Sequence, residues 1–148
     1  MQTTDKTKEL STTLVLVNDK LHFTGHADTN APVSIDYIPP LGDNLGYTSL
    51  ELFLLSISSC VGSAVLILLR KMGKTISEFR INSNGIRRNQ HPTGFSNITL
   101  DILLKSPDAT QADLDKVLSM SNEKLCPVWA MIDGNVEVKV NSEVIKAL

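Results

Sequence analysis

Apolar positions change their period along the chain, and the changes mark its elements. In Thr12 to Phe23 (TTLVLVNDKLHF), Leu14 and Leu16 alternate with Val15 and Val17, and Asn18-Asp19 supplies a turn, which predicts two short strands. Val33 to Ile38 alternates again until Pro39-Pro40 stops it, so the N-terminal strands fall within residues 12–38. PPLGDNLGYTS then reads as a loop. Ile76 to Arg87 and Phe95 to Leu104 are strand-like and joined by turn residues in RRNQHPTGF, which predicts a hairpin over 76–104. Ser106-Pro107-Asp108 opens a helix through about Lys124, with Ala112, Leu114, Val117, Leu118 and Leu125 as its apolar side. Cys126-Pro127 breaks it, and a short helix restarts at Pro127 and ends near Asp133-Gly134. Asn135 to Ile145 (NVEVKVNSEVI) alternates strictly, as a half-buried strand does, and closes a C-terminal group of helices and strand over 108–145.

The central helix, 49–72, follows a different pattern. From Leu52 to Leu69 no residue is charged, and Arg70, Lys71 and Lys74 follow. That length and positive flank match a membrane span. A local reading competes with it. Ser49 can cap the helix, Glu51 sits in a first turn that favours negative charge, and Gly73 stands where a C′ glycine belongs. Ser56, Cys60, Ser63 and Ala64 share one face, and small residues there allow another backbone close. Amphipathic strands on both sides of the run need an apolar partner. The pattern therefore predicts a core helix rather than a membrane anchor, surrounded by protein in a homodimer that packs along the serine face.

Composition narrows the class without naming a function. A 148-residue chain with 42% hydrophobic and 20% charged residues predicts one globular domain over residues 1–148. Its net charge of −2 gives no electrostatic reason to expect a nucleic acid or anionic membrane surface as partner. The polar start, MQTTDKTKELSTT, has no apolar signal core, so a reducing cytoplasm is expected. Two cysteines there are either quiet buried thiols or chemically used ones. Pro127 suits a first helical position, which makes Cys126 an N-cap whose thiolate the unpaired N–H groups favour. Cys60, mid-helix, receives no such help.

Three stretches together resemble the OsmC/Ohr superfamily, which includes osmotically inducible protein C and the organic hydroperoxide resistance proteins. They are GYTSLELFLLSISSC, CPVWAMIDGNVEVKV and, between them, IRRNQHPTGFSNITL, which is similar to the hairpin of the OsmC-like branch. The likeness spans about Pro39 to Val144. It implies an α+β fold: an intertwined homodimer with a long buried central helix per subunit packed against antiparallel sheets. It also implies a thiol peroxidase in which Cys60 attacks an organic or fatty-acyl hydroperoxide and Cys126 resolves the sulfenic acid as a disulfide. A dithiol reductant, lipoyl-type in characterised members, would reopen that disulfide, and no bound cofactor is implied.

The sequence departs from the peroxidase branches at two places. They draw an activating arginine from the N-terminal strands, and residues 1–60 here contain none. They carry a glutamate ten positions before the cysteine, which is Leu50 here. Glu51 lies nine positions before Cys60, about 180° away on an ideal helix, so it is an auxiliary candidate that also suits a first-turn acid. A second reading keeps the dimer with quiet cysteines and a small hydrophobic ligand between subunits. A third is a thiol switch without turnover. Among other residues, His22 and His26 would be roughly 13 Å apart on a strand, too far to share a metal. His91-Pro92 reads as a turn, Arg87 and Arg88 as a solvated face, and Trp129 as a core anchor or pocket wall.

Overall fold

The computed structural model describes residues 5–148, apart from the side chains of residues 122–124. Residues 1–4 of the polar N-terminal stretch lie outside this description. The chain forms two compact units, Met1–Leu52 and Phe53–Leu148.

The first unit carries an antiparallel meander, β1 (Thr13–Leu16), β2 (Phe23–His26) and β3 (Val33–Ile35), paired in that order. The second strand lies later than its apolar pattern predicts. Asn18 Oδ1 accepts from the N–H groups of Lys20 and His22, both at 3.0 Å, and this folds residues 18–22 into a loop that Leu16 and Phe23 close as partners. Strand β3 ends early because Asp36 turns inward. Only 2% of it is exposed, and its carboxylate accepts from the N–H groups of Tyr37 (2.7 Å), Asp43 (3.2 Å) and Leu45 (3.1 Å). Burial opposes ionisation, but the three donors outweigh it and hold this carboxyl below its usual range. The Pro-Pro-Leu-Gly loop is thereby fastened to the sheet.

Helix α1 (Ser49–Lys71) is capped by Thr48, one residue before the predicted cap. The Thr48 Oγ1 accepts from the Glu51 N–H at 3.2 Å, and Glu51 Oε1 accepts from the Thr48 N–H at 2.9 Å. This reciprocal pair is a capping box. The helix ends where the sequence indicates. Gly73 takes φ +76°, and the Lys74 N–H reaches the Leu69 carbonyl at 3.0 Å, a closure that favours glycine.

The second unit is a sheet with helices on one face. β4 (Glu78–Arg87) and β5 (Phe95–Ser106) form the predicted hairpin, α2 (Gln111–Leu125) and α3 (Pro127–Ile132) follow, and β6 (Glu137–Lys146) returns beside β5. The sheet is not wholly antiparallel. The two helices carry the chain back across, so β6 runs parallel to β5, with Leu100 opposite Val140 and Leu104 opposite Val144. Central β5 buries Ile98, Leu100, Ile102 and Leu104 on one face. On that face Phe79 and Ile81 of β4 lie against Gly62 of α1, and Ile57, Val61, Val65 and Leu69 of α1 are buried. Leu55 and Ile67 of α1 remain exposed, so one chain buries only one side of this apolar helix.

Helix α2 starts at a capping box of Thr110 and Asp113 rather than at Ser106-Pro107-Asp108. Ser106 and Asp108 instead fasten the preceding turn to Thr75, with the Ser106 hydroxyl donating to the Thr75 carbonyl at 2.6 Å. Leu114, Val117 and Leu118 are buried as predicted, and Ser121 joins them. Ala112 is exposed because it lies off the inward stripe, which runs at i, i+3, i+4 and i+7 from Leu114, and Leu125 is exposed at the last residue of the helix, where it borders a groove.

Gly85 lies under the Phe95 ring so closely that a Cβ would come within 2.4 Å of it. Phe95 is buried, 6.2 Å from the Phe53 ring between centroids, and cannot yield freely. Gly85→Ala is expected to destabilise the fold by about 1–3 kcal/mol, the usual overpacking cost. Urea unfolding of the two proteins measures it, and an unchanged midpoint would contradict this packing.

Candidate functional site

The site begins with two residues that are distant in sequence. Cys60 lies in the middle of α1 and is partly exposed, and Cys126 stands between α2 and α3 with 1% exposure. Both are free thiols, and the fold brings them near enough that Cys60 acts on the ionisation of Cys126. Cys126 is the N-cap of α3, with Pro127 in the first turn, and its Sγ accepts from the Trp129 N–H at 3.3 Å. Trp129 itself is buried, a core anchor beside the cap.

The predicted cap is present, but its electrostatic consequence is reversed. Burial pushes the Cys126 thiol up from 9.0 to about 11, and the neighbouring Cys60 thiol pushes the same way. The N–H groups of Trp129 and Val128 favour the thiolate and are outweighed. A six-residue helix supplies too little field to offset the loss of water.

Beside Cys60 lies a groove of about 540 Å³. One wall is α1, through Ser56, Ser59, Cys60, Ser63, Ala64, Ile67, Leu68 and Lys71, and the other is Leu125, Pro127 and Val128. The serine face predicted to meet a second helix therefore borders this groove. Its small side chains leave the space, and Ile67, Leu68, Leu125 and Val128 make the walls largely apolar.

The other candidates have local partners of their own. Glu51 is engaged by Thr48, whose backbone N–H and hydroxyl hold its carboxyl below the usual range. His22 Nε2 pairs with Ser34 Oγ at 2.8 Å, and that hydroxyl donates to the Leu45 carbonyl at 2.8 Å. Arg87 holds the hairpin turn through Thr93, its Nε donating to the carbonyl at 2.7 Å. Arg88 donates to the Asn135 carbonyl at 2.7 Å and is exposed, a strut on the solvated face. His91 borders a separate polar hollow with Arg88 and Asn135. The groove itself, and Lys71 within it, were not foreseen from the sequence. The signal was there in the spacing of Ser56, Cys60, Ser63, Ile67 and Lys71 on one helical stripe.

The sequence pattern of OsmC-like proteins matches residues 42–141, which contain both cysteines and the groove. The chain belongs to the OsmC-like protein family. Protein YhfA of Escherichia coli K12 is 24% identical over 98 residues, 66% of this OsmC-like chain and 73% of YhfA. Among solved structures, a hypothetical protein from Aquifex aeolicus superposes with a TM-score of 0.84 at 24% identity, covering 95% of this chain and 99% of that one. An organic hydroperoxide resistance protein from Elizabethkingia anophelis gives 0.70 at 18% identity, covering 98% and 100%. These likenesses establish the α+β OsmC-like fold, in which the long apolar run is the central helix.

The two thiols should differ sharply towards a small uncharged alkylating reagent. In reduced native protein at pH 8, iodoacetamide should label Cys60 first. Labelling of Cys126 should rise only as pH climbs towards about 11, or on unfolding. Peptide mass spectrometry reads both rates, and equal labelling at pH 8 would contradict the burial argument.

Proposed function

We propose that this OsmC-like protein is a thiol peroxidase for organic or fatty-acyl hydroperoxides. The observation that carries the reading is the meeting of the Cys60 and Cys126 thiols beside an apolar groove. Cys60 takes the attacking role because it has access, and because burial keeps Cys126 protonated at neutral pH. The Cys60 thiolate attacks the O–O bond, forms an S–O bond and becomes a sulfenic acid. The alkoxide leaves and takes a proton from solvent as the alcohol. The Cys126 thiol then forms the S–S bond, and the sulfenic hydroxyl departs as water. A dithiol of lipoyl type reduces the disulfide and is itself oxidised to a disulfide. Glu51 belongs to the helix cap in this reading.

A homodimer is the second part of the proposal. Leu14, Val15, Leu16 and Val33 of the N-terminal meander are exposed, and Leu14, Val33, Ile35 and Leu52 line an apolar hollow of about 400 Å³. A second copy would cover this surface. Light scattering is expected to give twice the mass of the 148-residue chain, and a monomer at micromolar concentration would argue against it.

A different use of the groove is favoured by the absence of arginine from residues 1–60, namely binding a small hydrophobic ligand with idle thiols. Thiol titration before and after one equivalent of cumene hydroperoxide separates the two. The peroxidase should lose both thiols and yield a Cys60–Cys126 linked peptide. Cys126→Ser should stop at the Cys60 sulfenic acid, and Cys60→Ser should leave Cys126 unoxidised. Two thiols still free after minutes would overturn the peroxidase in favour of the ligand carrier.

A further inference from the structure

The groove beside Cys60 has a charged far end. Lys71 follows Cys60 by eleven residues, which on an α-helix is about 16 Å along the axis and only about 20° around it. Both residues border the same groove, and the wall between them is Ser63, Ala64 and Ile67, faced by Leu125 and Val128. Lys71 is the one cation among the described lining residues, and no aspartate or glutamate is among them. Its neighbour Lys74 is already committed to Asp113 at 3.3 Å and to the Asp108 carbonyl at 3.1 Å, whereas no carboxylate lies within ion-pair distance of Lys71 among the described residues.

A reactive thiol, an apolar channel and a cation in line define a ligand with matching parts. We infer that Lys71 is a specificity-determining residue that anchors the carboxylate of a long-chain hydroperoxide whose peroxide reaches Cys60. The span corresponds to about a dozen extended carbon–carbon bonds of ~1.5 Å each. Lys71 does not touch the reacting atoms, so it acts by positioning. The inference rests on the peroxidase reading for its reactive end and on the groove alone for its anionic end.

The test uses a redox-inert probe, so the two ideas fail separately. Tetradecanoate and its methyl ester, both below their micellar concentrations, are compared for slowing the alkylation of Cys60 by uncharged iodoacetamide. In the native protein the carboxylate should protect at about three- to fivefold lower concentration than the ester, as an exposed ion pair provides. Lys71→Met should remove that preference, and Lys71→Arg should restore it. Equal protection by acid and ester in the native protein, or a preference that survives in Lys71→Met, would overturn the anchor. In turnover, Lys71→Met should raise KM for a carboxylate-terminated long-chain hydroperoxide by a similar factor, and by more than it raises KM for the methyl ester of the same hydroperoxide. If no hydroperoxide oxidises the thiols, the peroxidase reading falls while the protection experiment still decides Lys71.

Discussion

The buried face of strand β5 is the constraint on which residues 53–148 depend. Ile98, Leu100, Ile102 and Leu104 are at most 3% exposed, on the face where α1 meets Phe79 and Ile81 of β4 and α2 meets Ser142 of β6. Each such side chain contributes about 1.5–3 kcal/mol when fully buried, so the helices are held to that face wherever their own apolar stripes allow. The stripe on α1 runs through Ile57, Val61, Val65 and Leu69, and that on α2 through Leu114, Val117 and Leu118. The remaining sides of the helices are then fixed as well. For α1 this directs Ser56, Cys60, Ser63 and Lys71 away from the sheet and along a groove.

The site is thus a by-product of core packing with a particular electrostatic character. Cys126 occupies a helix cap, a position that stabilises thiolates when water can reach them. Here water is excluded, and desolvation exceeds what two backbone N–H groups return. A neutral buried thiol next to a more accessible one suits a division of roles, one attacking and the other waiting. The same dryness would suit an apolar ligand, which is why the groove supports both readings of function and why chemistry at the sulfurs has to distinguish them.

Carboxylates illustrate how local chemistry hides in a loop. Asp36 looks in the sequence like one more acid beside a Pro-Pro turn, yet its three N–H partners tie residues 37–45 to the meander. Glu51, in the sequence both an auxiliary candidate for Cys60 and a first-turn acid, completes a capping box with Thr48. Both cases follow one rule: backbone N–H groups left over at turns and helix starts are met by the nearest carboxylate.

The sequence by itself determined the elements. Periods of two and of about 3.6 located the strands and helices, and Gly73 and Pro127 punctuated them, because side-chain alternation and backbone restriction are local properties. The motifs around Cys60 and Cys126 carried the family as well. Two expectations were overturned, since β6 runs parallel to β5 where antiparallel sheets were expected and Ser121 rather than Leu125 is buried, and the meeting of the two thiols was left open. These depend on which faces touch across long separations. The ionisation of Cys126 was decided the same way: its cap donors are local and were visible, whereas the burial that outweighs them comes from residues brought in by the fold.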